Sequence, residues 1–197
     1  MLGGAATFVP YRRNLSLIWC AYHCRMDGID WAASAMVAAR ARLDIATGNL
    51  ANVSTTGFRA VLARGALTPH GVTIERTRSD EEGALVHTGR PDDRAIVGAG
   101  SFRVRNADGS ISLTRNGAFV RDRFGALRDD AGRKLVGTTL APGASVRTGF
   151  LETSGVNGVA QMVDVLAAQR SFESAEKVVV AIDGAHQKAA NDVARVK

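Results

Sequence analysis

The sequence predicts an α+β fold in which helices from the two ends of the chain pair in a coiled-coil-like layer beside a small central β-rich domain. Two terminal segments repeat apolar residues at helical spacing, and the segment between them alternates apolar and polar residues among glycine turns. The 197 residues are 46% hydrophobic and 22% charged, which is ordinary for a folded protein. The sequence contains no apolar run near the roughly 20 residues that a transmembrane helix requires.

Residues 1 to 25 are predicted to be a leader outside the fold, either non-native or disordered. The order of "RRNLSL" and "IWCAY" resembles an export signal, but His23, Cys24 and Arg25 interrupt its apolar part. Zinc binding by Cys20, His23 and Cys24 is not expected, because a fourth ligand at matched spacing is missing. Translation from Met26 is the favoured interpretation, and such a protein has no cysteine and no cleavable signal.

Residues 26 to 60 are predicted to form the N-terminal helix and its exit. The positions Ile29, Met36, Leu43 and Leu50 lie seven residues apart, and Ala32, Ala39, Ala46 and Val53 follow each of them by three. This a/d pattern is typical of a helix that packs along a coiled-coil seam, and Asp27 or Asp30 can cap its start. Because alanine buries little apolar area, the helix is expected to need partners to become ordered.

The middle of the chain is predicted to be β-structure. Residues 61 to 97 are expected to be an irregular connection with short strands, one of them near "GVTIER". Residues 98 to 150 are expected to form a β-rich domain of short hairpins, with turns at Asp108-Gly109, Asn116-Gly117, Phe124-Gly125 and Ala131-Gly132. Asp-Gly and Asn-Gly turns favour hairpins in which both turn residues have positive φ.

Residues 151 to 197 are predicted to form the C-terminal helix. Val159, Met162, Val163 and Leu166 form one apolar patch, which Phe172, Ala175, Val179 and Ile182 continue at helical spacing. Glu173 and Lys177 lie four apart in the favourable order, on another face. The two terminal helices are the expected pair.

No catalytic, cofactor or metal site is predicted. "GAG" at residues 98 to 100 lacks the third glycine of a dinucleotide site. "NADGS" resembles part of a calcium loop, but Val104 and Arg115 occupy the first and last ligand positions, which removes the bidentate carboxylate. The four histidines are scattered and supply no general base for a catalytic triad. A small-molecule substrate is therefore not expected.

The net charge of +6 leaves a basic nucleic-acid-binding protein as the alternative function. Three of the excess positive charges, on Arg12, Arg13 and Arg25, lie in the predicted leader, which contains no acid. The other basic residues alternate with acids, as in "RPDDR", which is typical of a solvated surface. A coiled-coil adhesin or scaffold is a weaker third possibility.

Three stretches in the same order resemble the bacterial flagellar basal-body rod and hook protein family. "LDIATGNLANVSTTGFRA" is similar to its N-terminal motif, which runs from Asn-Leu-Ala-Asn to Gly-Phe. "TGRPDDRAIVGAGSFRVRNADGSISLTRNGAFVRDRFGALRDDAGRKLVG" resembles the family's next segment, with its Thr-Arg-Asn-Gly-x-Phe core. "LETSGVNGVAQMVDVLAAQRSFESAEKVV" resembles the C-terminal motif. The resemblance covers most of residues 26 to 183, although Ser101 and Leu113 replace usual aromatic residues.

The resemblance implies a structural rod subunit that passes through the flagellar export apparatus without a cleaved signal and polymerises with other rod and hook subunits in the basal body. Asn49 and Asn52 are expected to bond across a subunit contact, Gly57 to cap the helix with positive φ, and Phe58 to anchor the exit. The predicted assembly interface comprises Ile29, Met36, Leu43, Asn49, Leu50, Asn52, Val53, Gly57, Phe58, Val159, Met162, Leu166, Gln169, Arg170, Phe172, Val179 and Ile182.

Overall fold

A computed structural model describes residues 28 to 195 and contains two helices with a β-rich region between them, which confirms the predicted α+β class. The predicted leader, the start at Met26 and the possible cap Asp27 lie outside the described residues. Among residues 28 to 195, neither helix combines the length and apolarity that crossing a membrane takes.

The helices α1 (Gly28–Ala51) and α2 (Gly158–Arg195) pack against each other in antiparallel orientation. A Cβ atom placed on Gly28 would lie 3.1 Å from Ile182, and one on Gly158 would lie 3.2 Å from Val53. The start of α1 therefore lies beside the middle of α2. At the start of α2, Asn157 caps the helix, because its Oδ1 accepts the N–H of Ala160 at 3.1 Å.

Residues 61 to 97 are more regular than expected. They contain the hairpin of β1 (Val61–Thr68) and β2 (Gly71–Arg78), followed by β3 (Leu85–His87) and β4 (Arg94–Val97). Both hairpin strands have eight residues, and they are paired from Val61↔Arg78 to Thr68↔Gly71. The hairpin packs on α1, so this segment connects the helical layer to the rest of the β-structure.

The remaining strands are β5 (Gly100–Arg105), β6 (Ile111–Thr114), β7 (Val120–Arg121), β8 (Leu127–Arg128), β9 (Lys134–Leu140), β10 (Ser145–Thr148) and β11 (Phe150–Glu152). Five of them form an antiparallel sheet in the order β6-β5-β9-β8-β7. β4 pairs with β10 and β3 pairs with β11, so strands from before the sheet pair with strands after it.

Three of the four predicted turns are hairpin turns, but their geometry differs from the expectation. In the turns that contain Gly109, Gly125 and Gly132, only the glycine has positive φ among the described residues, at 87°, 81° and 75°. Each glycine N–H donates to the carbonyl three residues before it, at 2.9 to 3.1 Å. These are three-residue loops in which a type I turn ends in a left-handed glycine, not two-residue turns.

Asn116-Gly117 does not form a hairpin, and this prediction was wrong. β6 and β7, which flank it, lie at opposite edges of the five-stranded sheet. A Cβ atom on Gly117 would lie 1.5 Å from the carbonyl oxygen of Arg94, so glycine is required there for close backbone approach.

The core of the β region consists of Ile96, Phe102, Val104, Phe119 and Leu127, with Leu135 and Val146 packed against them. The rings of Phe102 and Phe119 are fully buried and meet edge to face, with centroids 5.3 Å apart. The large aromatic side chains give this region a core that the alanine-rich helices do not have.

Candidate assembly surface

The three sequence motifs meet at one place in the fold, which we call the junction: Thr56, Gly57, Arg115, Asn116 and Glu152. The hydroxyl of Thr56 donates to Oδ1 of Asn116 at 2.8 Å. The N–H of Gly57 donates to the carbonyl of Glu152 at 2.8 Å. Hydrogen bonds thus join the exit of α1 to the sheet and to the strand that precedes α2.

A buried ion pair lies at the centre of the junction. Nε and Nη2 of Arg115 bind Oε2 of Glu152 at 2.9 and 2.8 Å, and both side chains are almost fully buried. Nη1 of Arg115 also donates to the carbonyls of Gly98 at 2.7 Å and Gly100 at 3.1 Å. Since the guanidinium and the carboxylate find partners within the fold, the pair meets the condition under which buried charges are tolerated.

Gly57 has positive φ, as predicted, but it does not cap the helix. Its φ is 66°, whereas α1 ends six residues earlier at Ala51. A Cβ atom on Gly57 would lie 2.4 Å from the backbone carbon of Arg115. The glycine is needed because the chain passes directly against the backbone of the sheet domain. Phe58 follows it half-buried, and its carbonyl accepts the N–H of Gly155 at 2.9 Å.

Asn49 and Asn52 form hydrogen bonds within the chain, and the expected bonds across a subunit contact stay a prediction. Asn49 is buried, and its Nδ2 donates at 2.8 Å both to the carbonyl of Val61 and to Oε1 of Gln161. Its Oδ1 accepts the N–H of Val61 at 2.8 Å. The half-buried Asn52 donates to the carbonyl of Gly48 at 2.8 Å. Asn49 therefore joins α1, β1 and α2 within one chain.

The contact between the two helices is formed mainly by small buried residues, and larger apolar residues lie half-buried at its border. On α1, the buried residues are Ala32, Ala38, Ala39, Ile45, Ala46 and Asn49. The predicted seam residues Ile29, Met36, Leu43 and Leu50 are only half-buried, and Val53 is exposed. The buried residues of α1 are thus centred on the alanine positions of the predicted a/d seam and not on its larger a positions.

On α2, the residues that face α1 are separated by three and four residues. Ala168 and Ala175 are buried, and the predicted interface residues Phe172, Val179 and Ile182 are half-buried. A shallow, open groove beside this contact is lined by Trp31 and Ala35 of α1 and by Arg170, Ser174 and Val178 of α2. The second half of the predicted apolar pattern on α2 therefore packs within the chain.

The first half of that pattern lies on a different face. Val159, Met162, Val163 and Leu166 are 73, 55, 60 and 55% exposed, and we call them the exposed stripe. Gln169 and Arg170 follow them on the surface. Four large aliphatic side chains within eight residues form an apolar patch of the kind that marks a protein interface.

Six residues at and beside the junction were missed as site residues: Thr56, Arg59, Arg115, Asn116, Glu152 and Gln161. Nη2 of Arg59 lies 3.5 Å from Oε1 of Glu152 and 3.6 Å from Oε1 of Glu82. Arg115 and Glu152 belong to the Thr-Arg-Asn-Gly and Leu-Glu motifs, so the motifs contained the signal. Spacing alone could not find the pair, because 37 positions separate the two residues in sequence.

The part of the chain that the structure describes contains no cluster of side chains that could bind a metal ion. Between residues 28 and 195, no group of three or more His, Cys, Asp or Glu side chains is arranged to hold a metal ion. The charged groups at the junction are engaged in structural bonds, so the geometry there fits a rigid connection between helices and sheet.

Three sequence families match the chain. Residues 29 to 59 match "Flagella basal body rod protein", and residues 95 to 165 match "Flagellar hook protein FlgE/F/G D1 domain". Residues 147 to 192 match "Flagellar basal body rod FlgEFG protein C-terminal". The matches include α1, the five-stranded sheet and nearly all of α2.

Individual relatives are rod and hook proteins. The flagellar basal-body rod protein FlgG of Agrobacterium fabrum is 24% identical over an alignment of 251 positions, which includes 80% of this chain and 96% of the relative. The FlgG of Borreliella burgdorferi is 30% identical, with 56% of this chain and 51% of the relative covered. The flagellar hook protein FlgE of Brucella abortus is 32% identical over 70% of this chain, but the match spans only 37% of the hook protein.

Proposed function

The chain belongs to the flagellar basal-body rod and hook protein family, and from this premise we propose that it is a structural subunit of the rod. The match to nearly the whole length of a rod protein supports the rod over the hook, since only about a third of the hook relative is covered. In this proposal the protein has no catalytic role, binds no cofactor and is exported through the flagellar apparatus.

The observation that carries the proposal is the exposed stripe on α2, beside a helix contact built from alanines. Burying one Val, Leu or Met side chain contributes about 1.5–3 kcal/mol, so the stripe leaves several kcal/mol available to a neighbouring subunit. The half-buried residues Met36, Leu43 and Leu50 offer further apolar area at the border of α1.

We propose that these surfaces pair in a coiled-coil-like layer between subunits. A contact between two different patches of identical molecules is heterologous, and repetition by a rotation and a rise gives an open helical filament. In this arrangement Val159, Met162, Leu166, Gln169 and Arg170 supply one side of the contact. The border of α1 supplies the other, and the neighbours are copies of this chain or other rod and hook subunits.

The substitution Leu43→Asp tests the proposal. A charge at this border position should abolish motility and hook assembly, because an unpaired carboxylate cannot be buried in an apolar subunit contact. The sheet should stay folded, since Leu43 lies outside the core of Phe102 and Phe119. Motility plates, electron microscopy of basal bodies and near-ultraviolet circular dichroism measure these outcomes. Normal swimming by the variant would contradict the proposed role.

Mass spectrometry of purified basal bodies tests the location independently. We expect peptides of this chain among the rod proteins, and the N-terminal peptide reports where the assembled protein begins. Absence of the chain from intact basal bodies would contradict the proposal. Salt-sensitive duplex binding by the purified chain would instead favour the nucleic-acid alternative.

A further inference from the structure

The outer face of the five-stranded sheet carries three neighbouring cations, Arg103, Arg105 and Lys134, which we call the basic face. Arg105 lies opposite Lys134 on one side and Ile111 on the other, and Arg103 lies opposite Leu113. Directly opposed residues of antiparallel strands share a face of the sheet, and all three cations are exposed. The pairing therefore places like charges side by side.

These cations differ from the other basic residues of the same sheet. Arg121 and Arg128 in the sheet, and Arg133 directly before β9, each bind an aspartate, at 2.8, 2.9 and 2.7 Å. Within residues 28 to 195, the basic face has no acidic oxygen within 4.0 Å. Opposed like charges destabilise a sheet, so an acidic partner on this face would relieve a repulsion that the isolated chain retains.

Aliphatic side chains surround the basic face and indicate that its partner is a protein. Ile111, Leu113 and Val136 are 44, 63 and 42% exposed. A bare polyanion could satisfy the charges but would gain nothing from these side chains, whereas a protein segment with acidic and apolar residues would satisfy both.

The chain itself contains such a segment. Asp80 and Glu81, which we call the acidic loop, are exposed, and among the described residues neither carboxylate forms an ion pair. Arg59 holds the loop by donating to the carbonyls of both residues, and Ser79 Oγ accepts the N–H of Glu81 at 3.1 Å. The exposed Leu85 and Val86 follow the loop.

We propose that the basic face of one copy binds the acidic loop of the next copy. The inference rests on the proposed function, because it adds a second heterologous contact, outside the helical layer, to the same repeating assembly. Complementary charges at such a contact favour the correct partner and fix the register between subunits. The fixed backbone of the acidic loop lowers the entropy lost when it docks.

Paired charge reversals in the full chain test this contact. R103E/R105E and D80K/E81K should each lower the amount of chain in purified basal bodies, relative to the amount exported, by about tenfold or more, because like charges then face each other. The combined variant R103E/R105E/D80K/E81K restores opposite charges and should recover most of the assembly. R76E/R123E, which reverses two exposed arginines elsewhere, is the matched control and should assemble normally.

Every outcome distinguishes this contact from the proposed function. Normal assembly of both paired variants, or failure of the combined variant despite an unchanged thermal melt, overturns the contact but leaves the rod proposal intact. Absence of the unmodified chain from basal bodies overturns both. If the unmodified chain binds anionic vesicles or duplex DNA and R103E/R105E abolishes that binding without affecting assembly, the basic face serves a different partner.

Discussion

The junction and the exposed stripe use side chains in opposite ways. At the junction, Arg115 and Glu152 are buried, and their charged groups bind partners within the same chain. On the stripe, Val159 and Leu166 are apolar and face solvent. The difference indicates that the chain fixes the angle between its sheet and helices internally, while the apolar area that it leaves unused is available to neighbouring subunits.

The two hydrophobic contacts of the fold also differ, in the size of the side chains that they bury. The sheet core contains Phe102 and Phe119 at complete burial, whereas the contact between α1 and α2 is centred on Ala39, Ala46 and Ala168. Each alanine removes little area from water, so the helix contact contributes less to stability than its length suggests. The β region should therefore be stable before assembly, and the helices should depend on it and on neighbours.

The largest expected effect comes from Glu152→Ala. The change leaves the guanidinium of Arg115 buried without its carboxylate, which costs about 3–5 kcal/mol in the free energy of unfolding. Denaturant unfolding followed by circular dichroism measures the loss. Glu82→Ala is the matched control, because this side chain is 42% exposed and its ion pairs should contribute less than about 1 kcal/mol. Equal losses for the two variants would contradict a buried junction.

The two glycines of the N-terminal motif sharpen the comparison. Gly57→Ala should lower stability by at least about 1–3 kcal/mol, since its Cβ would need positive φ and would collide with the backbone of Arg115. Gly48→Ala should instead raise stability by about 0.5–1 kcal/mol, because Gly48 lies within α1 and a Cβ there meets no atom within 4 Å. Thermal melts of both variants would show opposite shifts. An unchanged or higher melting temperature for Gly57→Ala would mean that the close approach at Gly57 is not required, and a lower one for Gly48→Ala would contradict the open space around Gly48.

The sequence was sufficient to predict the fold class and to single out the motifs that meet at the junction, but of the junction residues only Gly57 was predicted as a site residue. Heptad spacing identified α1, yet only three-dimensional packing could show that the buried stripe is centred on the alanines. The position of Asn49 in the motif suggested a bond across a subunit contact, which stays a prediction, and the sequence did not show that β1 and Gln161 bind its side chain within the chain. Gly57 was predicted to have positive φ, but the reason depends on Arg115, which is distant in sequence.

Two adjacent positions on α2 separate folding from assembly. Leu166→Ser should change the free energy of unfolding by less than about 0.5 kcal/mol, because Leu166 is exposed, but it should reduce incorporation into basal bodies. Val165→Ser should lower stability by about 1 kcal/mol, since Val165 is half-buried and lies one helical turn before the buried Ala168. If Leu166→Ser assembles as well as the original chain, the exposed stripe is not an interface.

The smallest expected effect is the acid dependence contributed by one turn of the sheet. Hydrogen bonds from Arg128, and then from the N–H of Ala126, hold the pKa of Asp122 below its ordinary value. A carboxylate whose pKa is lower in the folded than in the unfolded state stabilises the fold above its unfolded pKa, and this contribution disappears as the pH falls through its folded pKa. Asp122→Asn should therefore make the free energy of unfolding fall slightly less steeply as the pH becomes acidic. Near neutral pH, the variant should lose only the contribution of the ion pair with Arg128. Since Asp122 lies in the turn between β7 and β8, outside the exposed stripe, the basic face and the acidic loop, the variant should assemble normally. A carboxyl titration by NMR that places Asp122 at its ordinary pKa would contradict the assignment.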